Sequence, residues 1–105
     1  MSEQFPAIGH KYKVAFDDFT VELSFESLTS MTYWGVRGDG SLGKPETVKI
    51  SVRPIRDHLF LVTWQEADKT TVVHLEDYKE NVIITHITEP NLNFSIHRGT
   101  MTLIE

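Results

Sequence analysis

The chain has 105 residues, no cysteine, and 15 acidic against 10 basic residues, giving a formal net charge of −5. One domain is the expectation for that length, and the missing thiols exclude disulfides, cysteine nucleophiles and thiolate metal sites. Lys11, Lys13, Lys44, Lys49, Arg53, Arg56, Lys69 and Lys79 are spread along the chain rather than clustered, so a phosphate backbone would be repelled and no nucleic-acid partner is expected.

The chain begins Met1-Ser2-Glu3-Gln4, which is polar and acidic and lacks the basic and apolar regions of a leader peptide. No apolar run approaches the ~20 residues of a membrane helix. A cytoplasmic protein with no membrane partner is therefore expected. From there the hydrophobic period is two. Tyr12, Val14 and Phe16 alternate with polar or small residues, and Phe19, Val21, Leu23 and Phe25 alternate with Thr20, Glu22 and Ser24. A weaker alternation over 29–36 contains Tyr33 and Trp34.

A long Gly-rich loop, Arg37 to Pro45, follows. Gly38-Asp39-Gly40-Ser41-Leu42-Gly43 spells G-x-G-x-x-G, which holds a phosphate only between a strand and a helix N-terminus. Here Lys44-Pro45 and another strand pattern come next, so the stretch reads as a loop at the mouth of a barrel. Val48, Ile50 and Val52 then alternate with polar residues. Leu59-Phe60-Leu61-Val62-Thr63-Trp64 is apolar on both faces, with Phe60, Val62 and Trp64 suited to an interior and Leu59 and Leu61 left opposite. Val82-Ile83-Ile84-Thr85-His86-Ile87 repeats that feature after a strand over 70–76. Leu92, Phe94 and Ile96 form a further alternating set, Gly99 reads as a turn, and Met101 and Leu103 close the pattern.

About nine strands with short links make a meander. A meander this long exposes its edges unless it closes on itself. The expected fold is all-β, an antiparallel up-and-down lipocalin-like barrel of about 8–9 strands spanning residues 1–105. A two-sheet sandwich is the alternative, but its Greek-key crossings call for longer connections.

Val62-Thr63-Trp64-Gln65-Glu66, followed by Lys69-Thr70-Thr71-Val72-Val73-His74-Leu75-Glu76-Asp77, resembles the signature of the MoaF-like family of small lipocalin-like barrels. Gly99-Thr100-Met101-Thr102-Leu103 and Phe16-Asp17-Asp18 fit the same pattern. The Trp-x-Glu step and the spacing from Tyr33 to Trp64 are also similar to those of the phenolic acid decarboxylases. That second resemblance implies Glu66 as a counterpart of the catalytic glutamate. It places the family's two substrate-holding tyrosines on Lys13 and Ala15, or after a one-residue shift on Val14 and Tyr12, and its arginine on Gly43 beside Lys44. Decarboxylation needs the phenol polarised and the carboxylate placed at once. With most of those groups missing, that activity is not expected.

The leading expectation is a binding module for a small apolar or aromatic compound in the barrel interior. Its walls would include Tyr12, Trp34, Phe60, Val62 and Trp64, with Glu66 or His86 as polar anchors. Two alternatives remain: a lyase or isomerase of small aromatic acids using Glu66 as general acid or base, and a structural protein with a filled barrel. An interior below ~100 Å³ would mean a filled barrel, whereas ligand sites usually run ~300–1,000 Å³. No cofactor is expected. His74, Glu76 and His86 would offer three metal ligands if the 70–76 and 82–88 strands brought them together, but hydrogen-bonded or solvated side chains are the simpler reading, and no metal is expected. The two-faced strands predict a homodimer covering the outer apolar face.

Overall fold

Alternating apolar and polar residues become nine antiparallel strands in the computed structural model, which describes residues 4–105; Met1, Ser2 and Glu3 of the polar N-terminus lie outside the described residues. The strands are β1 (Lys11–Phe16), β2 (Thr20–Phe25), β3 (Ser30–Val36), β4 (Glu46–Lys49), β5 (Ser51–Arg56), β6 (Leu59–Gln65), β7 (Thr71–Asp77), β8 (Val82–Thr88) and β9 (Phe94–Leu103). They form one sheet in the order β4-β3-β2-β1-β9-β8-β7-β6-β5. The two strands at the ends of that order are consecutive in sequence, separated only by Ile50. The chain thus walks from one edge of the sheet to the other and brings the edges together as a nearly closed barrel. Ile50 is buried, and its amide donates to the Thr29 carbonyl at 3.0 Å, which pins the crossing. No helix among the described residues is long and apolar enough to cross a membrane.

Two sequence expectations change. The run Val48-Ile50-Val52 is not one strand with one partner: β4 pairs with β3 and β5 pairs with β6. Leu92, Phe94 and Ile96 are 82%, 60% and 55% exposed rather than buried, and Gly99 is no turn but lies inside the ten-residue strand β9. The reason is at Gly99 itself. It pairs with Phe16 on one side and Ile83 on the other, and a Cβ there would stand 2.6 Å from the Ala15 carbonyl oxygen. Glycine permits that close approach of backbones, so the strand runs through. With Met101 facing inward, the parity of a strand forces Phe94 and Ile96 outward.

The interior divides into halves. At one end Phe5 packs edge-on against Phe25, Phe60 and Tyr78 at centroid distances of 5.2, 5.1 and 5.6 Å, with Tyr12 against Tyr78 at 5.6 Å. The segment before β1 supplies Phe5 and the fully buried Ala7, and so plugs that end with chain that is not part of any strand. Edge-to-face rings of this kind fill space well and add a little beyond their buried area. The other half is hollow.

Candidate ligand cavity

The hollow half encloses a cavity of about 120 Å³. Its apolar wall is built from positions on five strands: Phe16, Val21, Leu23, Trp64, Val72 and Ile87, with Phe19 beside them. The register explains the set. Trp64 pairs with Val72 and Val72 with Ile87, so one transverse row carries all three inward.

Polar groups occupy the cavity's two ends. His74 and Thr85 are directly opposed across β7 and β8 and both line the floor. Glu76, fully buried, accepts from His74 Nδ1 at 2.9 Å and from the Tyr78 hydroxyl at 2.6 Å. A carboxylate without water needs such donors on its oxygens. The contact leaves the His74 Nε2 as the second ring nitrogen, and the ring lies against Trp64 at 4.7 Å, edge to face. Thr85 is 1% exposed, and its Oγ1 has no hydrogen-bond partner among the described residues. Burial of an unpaired hydroxyl is costly and uncommon in native proteins.

At the mouth, Glu66 and Tyr33 line the cavity. Trp64 Nε1 donates to Glu66 Oε2 at 3.2 Å, and the Tyr33 hydroxyl donates to Glu46 Oε1 at 2.8 Å. Glu46 Oε2 accepts from the Ala67 amide at 2.8 Å, tying the start of β4 to the turn after β6. Burial pushes the Glu66 carboxyl above its ordinary range, against the opposing hydrogen bonds from Trp64 and Tyr33; the charges of Glu46 and Asp68 push it the same way as burial. Burial, the hydrogen bond to Glu46 and the charge of Glu66 likewise raise the Tyr33 hydroxyl, which therefore stays protonated and donates.

Of the residues expected to form the site, Trp64 and Glu66 reach the cavity. Tyr12, Phe60 and Val62 face inward and are buried, but they do not line the cavity; Tyr12 and Phe60 belong to the aromatic plug. Trp34 and His86 are corrections, since both lie on the outer face. The pairing of Leu23 with Tyr33 turns Tyr33 inward and its neighbour Trp34 outward, where the Lys11 ammonium sits 4.5 Å from the indole ring. The pairing of Val73 with His86 sets that histidine outside, stacked on Phe94 at 6.2 Å. His74 and His86 therefore face opposite sides of the sheet, and only His74 meets Glu76. Asp17, Asp18 and His97 do converge at the β1–β2 turn, where His97 Nδ1 lies 2.9 Å from Asp17 Oδ1, but both aspartates are exposed.

Sequence reasoning missed the floor. Thr85 carries no signal of its own, and His74 stands out only as a polar position or a metal ligand, although its parity with Val72 and Glu76 places the three on one face. The G-x-G-x-x-G stretch folds as a hydrogen-bonded loop: Arg37 N donates to the Ser41 carbonyl at 2.8 Å and Gly40 sits at φ +89°. It runs from β3 into β4 and opens no helix.

These features define a lipocalin-like barrel, plugged at one end by aromatic rings and hollow at the other. The chain belongs to the MoaF-like family, whose sequence pattern matches residues 8–102. A solved structure from Burkholderia vietnamiensis, described as a "putative beta-lactamase", is similar to it with a TM-score of 0.87 and 26% sequence identity, over 98% of this chain and 100% of that one. No curated protein matches the chain.

Proposed function

We propose that the protein is a cytoplasmic small-molecule-binding barrel that takes one compound of about single-ring size into the hollow half. The observation carrying this reading is a cavity of about 120 Å³ with a continuous apolar wall and polar groups confined to its floor and mouth. An apolar cavity of ~150 Å³ is known to hold benzene. The volume lies just above that of a filled barrel and well below the ~300 Å³ where drug-sized sites begin. Fluorescence titration with single-ring compounds is the test, because Trp64 forms part of the wall. Val72→Phe, which fills the cavity, is expected to abolish the response. A ligand signal unchanged in that variant would place binding elsewhere and defeat the reading.

The raised carboxyl of Glu66 supports a second reading, proton transfer on a small substrate. Aromatic acids suit that role poorly, because among the described residues no lysine or arginine lines the cavity to hold a substrate carboxylate. The groups expected from the decarboxylase resemblance also disperse: Lys13 and Ala15 are exposed, and Lys44 is exposed in the loop after β3. Serine-based lactam hydrolysis finds little support in this chain. Ser41-Leu42-Gly43-Lys44 spells S-x-x-K, but Ser41 is exposed with its hydroxyl donating to Asp39 at 2.7 Å, and neither S-D-N nor K-T-G occurs in the sequence.

We also infer a homodimer through the outer face of β6, β7, β8 and β9. Leu61, Leu75 and Ile84 are cross-strand neighbours there, with Arg53 and Arg98 at the two ends of the row and Val73, His86 and Ile96 in the next. A two-fold contact needs only one self-complementary patch. Four strands with flanking side chains offer area on the scale of the ~800 Å² per partner of a standard interface.

A further inference from the structure

We infer that the cavity floor is a hydroxyl subsite: the ligand is a neutral alcohol or phenol whose oxygen sits between Thr85 and His74. The inference rests on the binding reading above and adds the chemistry of the ligand's buried end. Thr85 is one of the residues lining the cavity, and its buried Oγ1 lacks a hydrogen-bond partner among the described residues, so a donor beside the cavity is left to be satisfied. Directly across the strand pair, His74 donates through Nδ1 to Glu76, which leaves Nε2 as an acceptor in the neutral ring. Side chains directly opposed on one face of a sheet have Cβ atoms ~5 Å apart, close enough for one oxygen to meet both. That oxygen must accept from Thr85 and donate to His74. A hydroxyl does both, whereas a carbonyl or ether leaves the imidazole unsatisfied.

Charge narrows the class further. Glu66 lines the mouth, Glu76 lies beneath the floor, and among the described residues no lysine or arginine lines the cavity. A carboxylate or phosphate would enter against that field without a counter-ion. The apolar wall between floor and mouth accepts a ring or short chain, and the volume excludes anything much larger than one ring.

Phenol and toluene differ little in shape and chiefly in the hydroxyl, so their affinities for the whole protein, measured calorimetrically, isolate the subsite. Phenol is expected to bind about tenfold more tightly, the scale of one buried hydrogen bond gained and one unpaired group relieved. Thr85→Val keeps the shape and removes the donor; it should reduce the phenol-to-toluene ratio to about one, while Thr85→Ser should retain it. Equal binding of the two compounds to the native protein would overturn the hydroxyl subsite and leave the cavity reading standing. A preference for phenol that survives Thr85→Val would overturn it too. Binding of neither compound would overturn both.

Discussion

Glu66 and Glu76 both turn their carboxyl groups toward the barrel interior, and their surroundings give them different work. Glu76 is fully enclosed and tied down by His74 and Tyr78, so it orients the imidazole. Glu66 is half-buried at the mouth, and burial raises its carboxyl above the ordinary range. A carboxyl raised in the folded state favours folding while protonated, and that contribution fades as pH rises through its folded value. Native protein therefore carries a penalty at neutral pH that Glu66→Gln removes. Thermal melts across acidic to neutral pH should show the variant ahead at neutral pH, with the gap closing on acidification as the native carboxyl becomes protonated in both states. A gap that widens on acidification would contradict the buried-carboxyl account.

Strand β9 holds the barrel together by pairing with β8 along its first half and β1 along its second. Gly99 lies where both pairings meet. Its missing side chain is what lets β9 pass β1, since a Cβ would meet a backbone oxygen at 2.6 Å and Phe16 Cδ1 at 2.8 Å. Backbone cannot swing aside as a side chain can, so Gly99→Ala should cost about 1–3 kcal/mol in urea unfolding. Gly35→Ala is the comparison, because a Cβ there meets nothing within 4 Å, and its midpoint should barely move. Equal midpoints for the two variants would mean the β1–β9 contact is looser than described. A sequence pattern sees Gly99 as a turn because glycine between two alternating runs most often is one. The steric reason for it lies on another strand.

At the scale of the molecule, the two-faced strands resolve into an inner set and an outer set. Phe60, Val62, Ile83 and Ile87 turn inward, while Leu59, Leu61, Val82 and Ile84 turn outward. The N-terminal segment plugs the barrel end with Phe5. It is therefore engaged there, and a second copy is the proposed cover for the outer ladder. Leu61→Glu would place a charge within the apolar row, where desolvation and the facing charge of the partner both oppose association. Sedimentation at micromolar concentration should give a dimer for the native chain and a monomer for the variant. A native monomer would remove the dimer and leave the ladder a wetted surface.

The sequence alone determined the all-β class, the period-two strands, their meander and the closure, because strand alternation and short links are local properties that a line of residues carries openly. It also grouped Phe60, Val62 and Trp64 on one face of their strand as the set suited to an interior, and the structure turns that face inward. Only the tertiary structure decided that Trp34 and His86 lie outside, that β9 runs unbroken through Gly99, and that Phe5 and Tyr78 fill one half while the other stays hollow. Parity within one strand is set by its own residues, but which parity faces in depends on register with neighbours far away in sequence. A cavity is more remote still: its volume is the remainder after every inward side chain has been placed, and no single residue encodes a remainder.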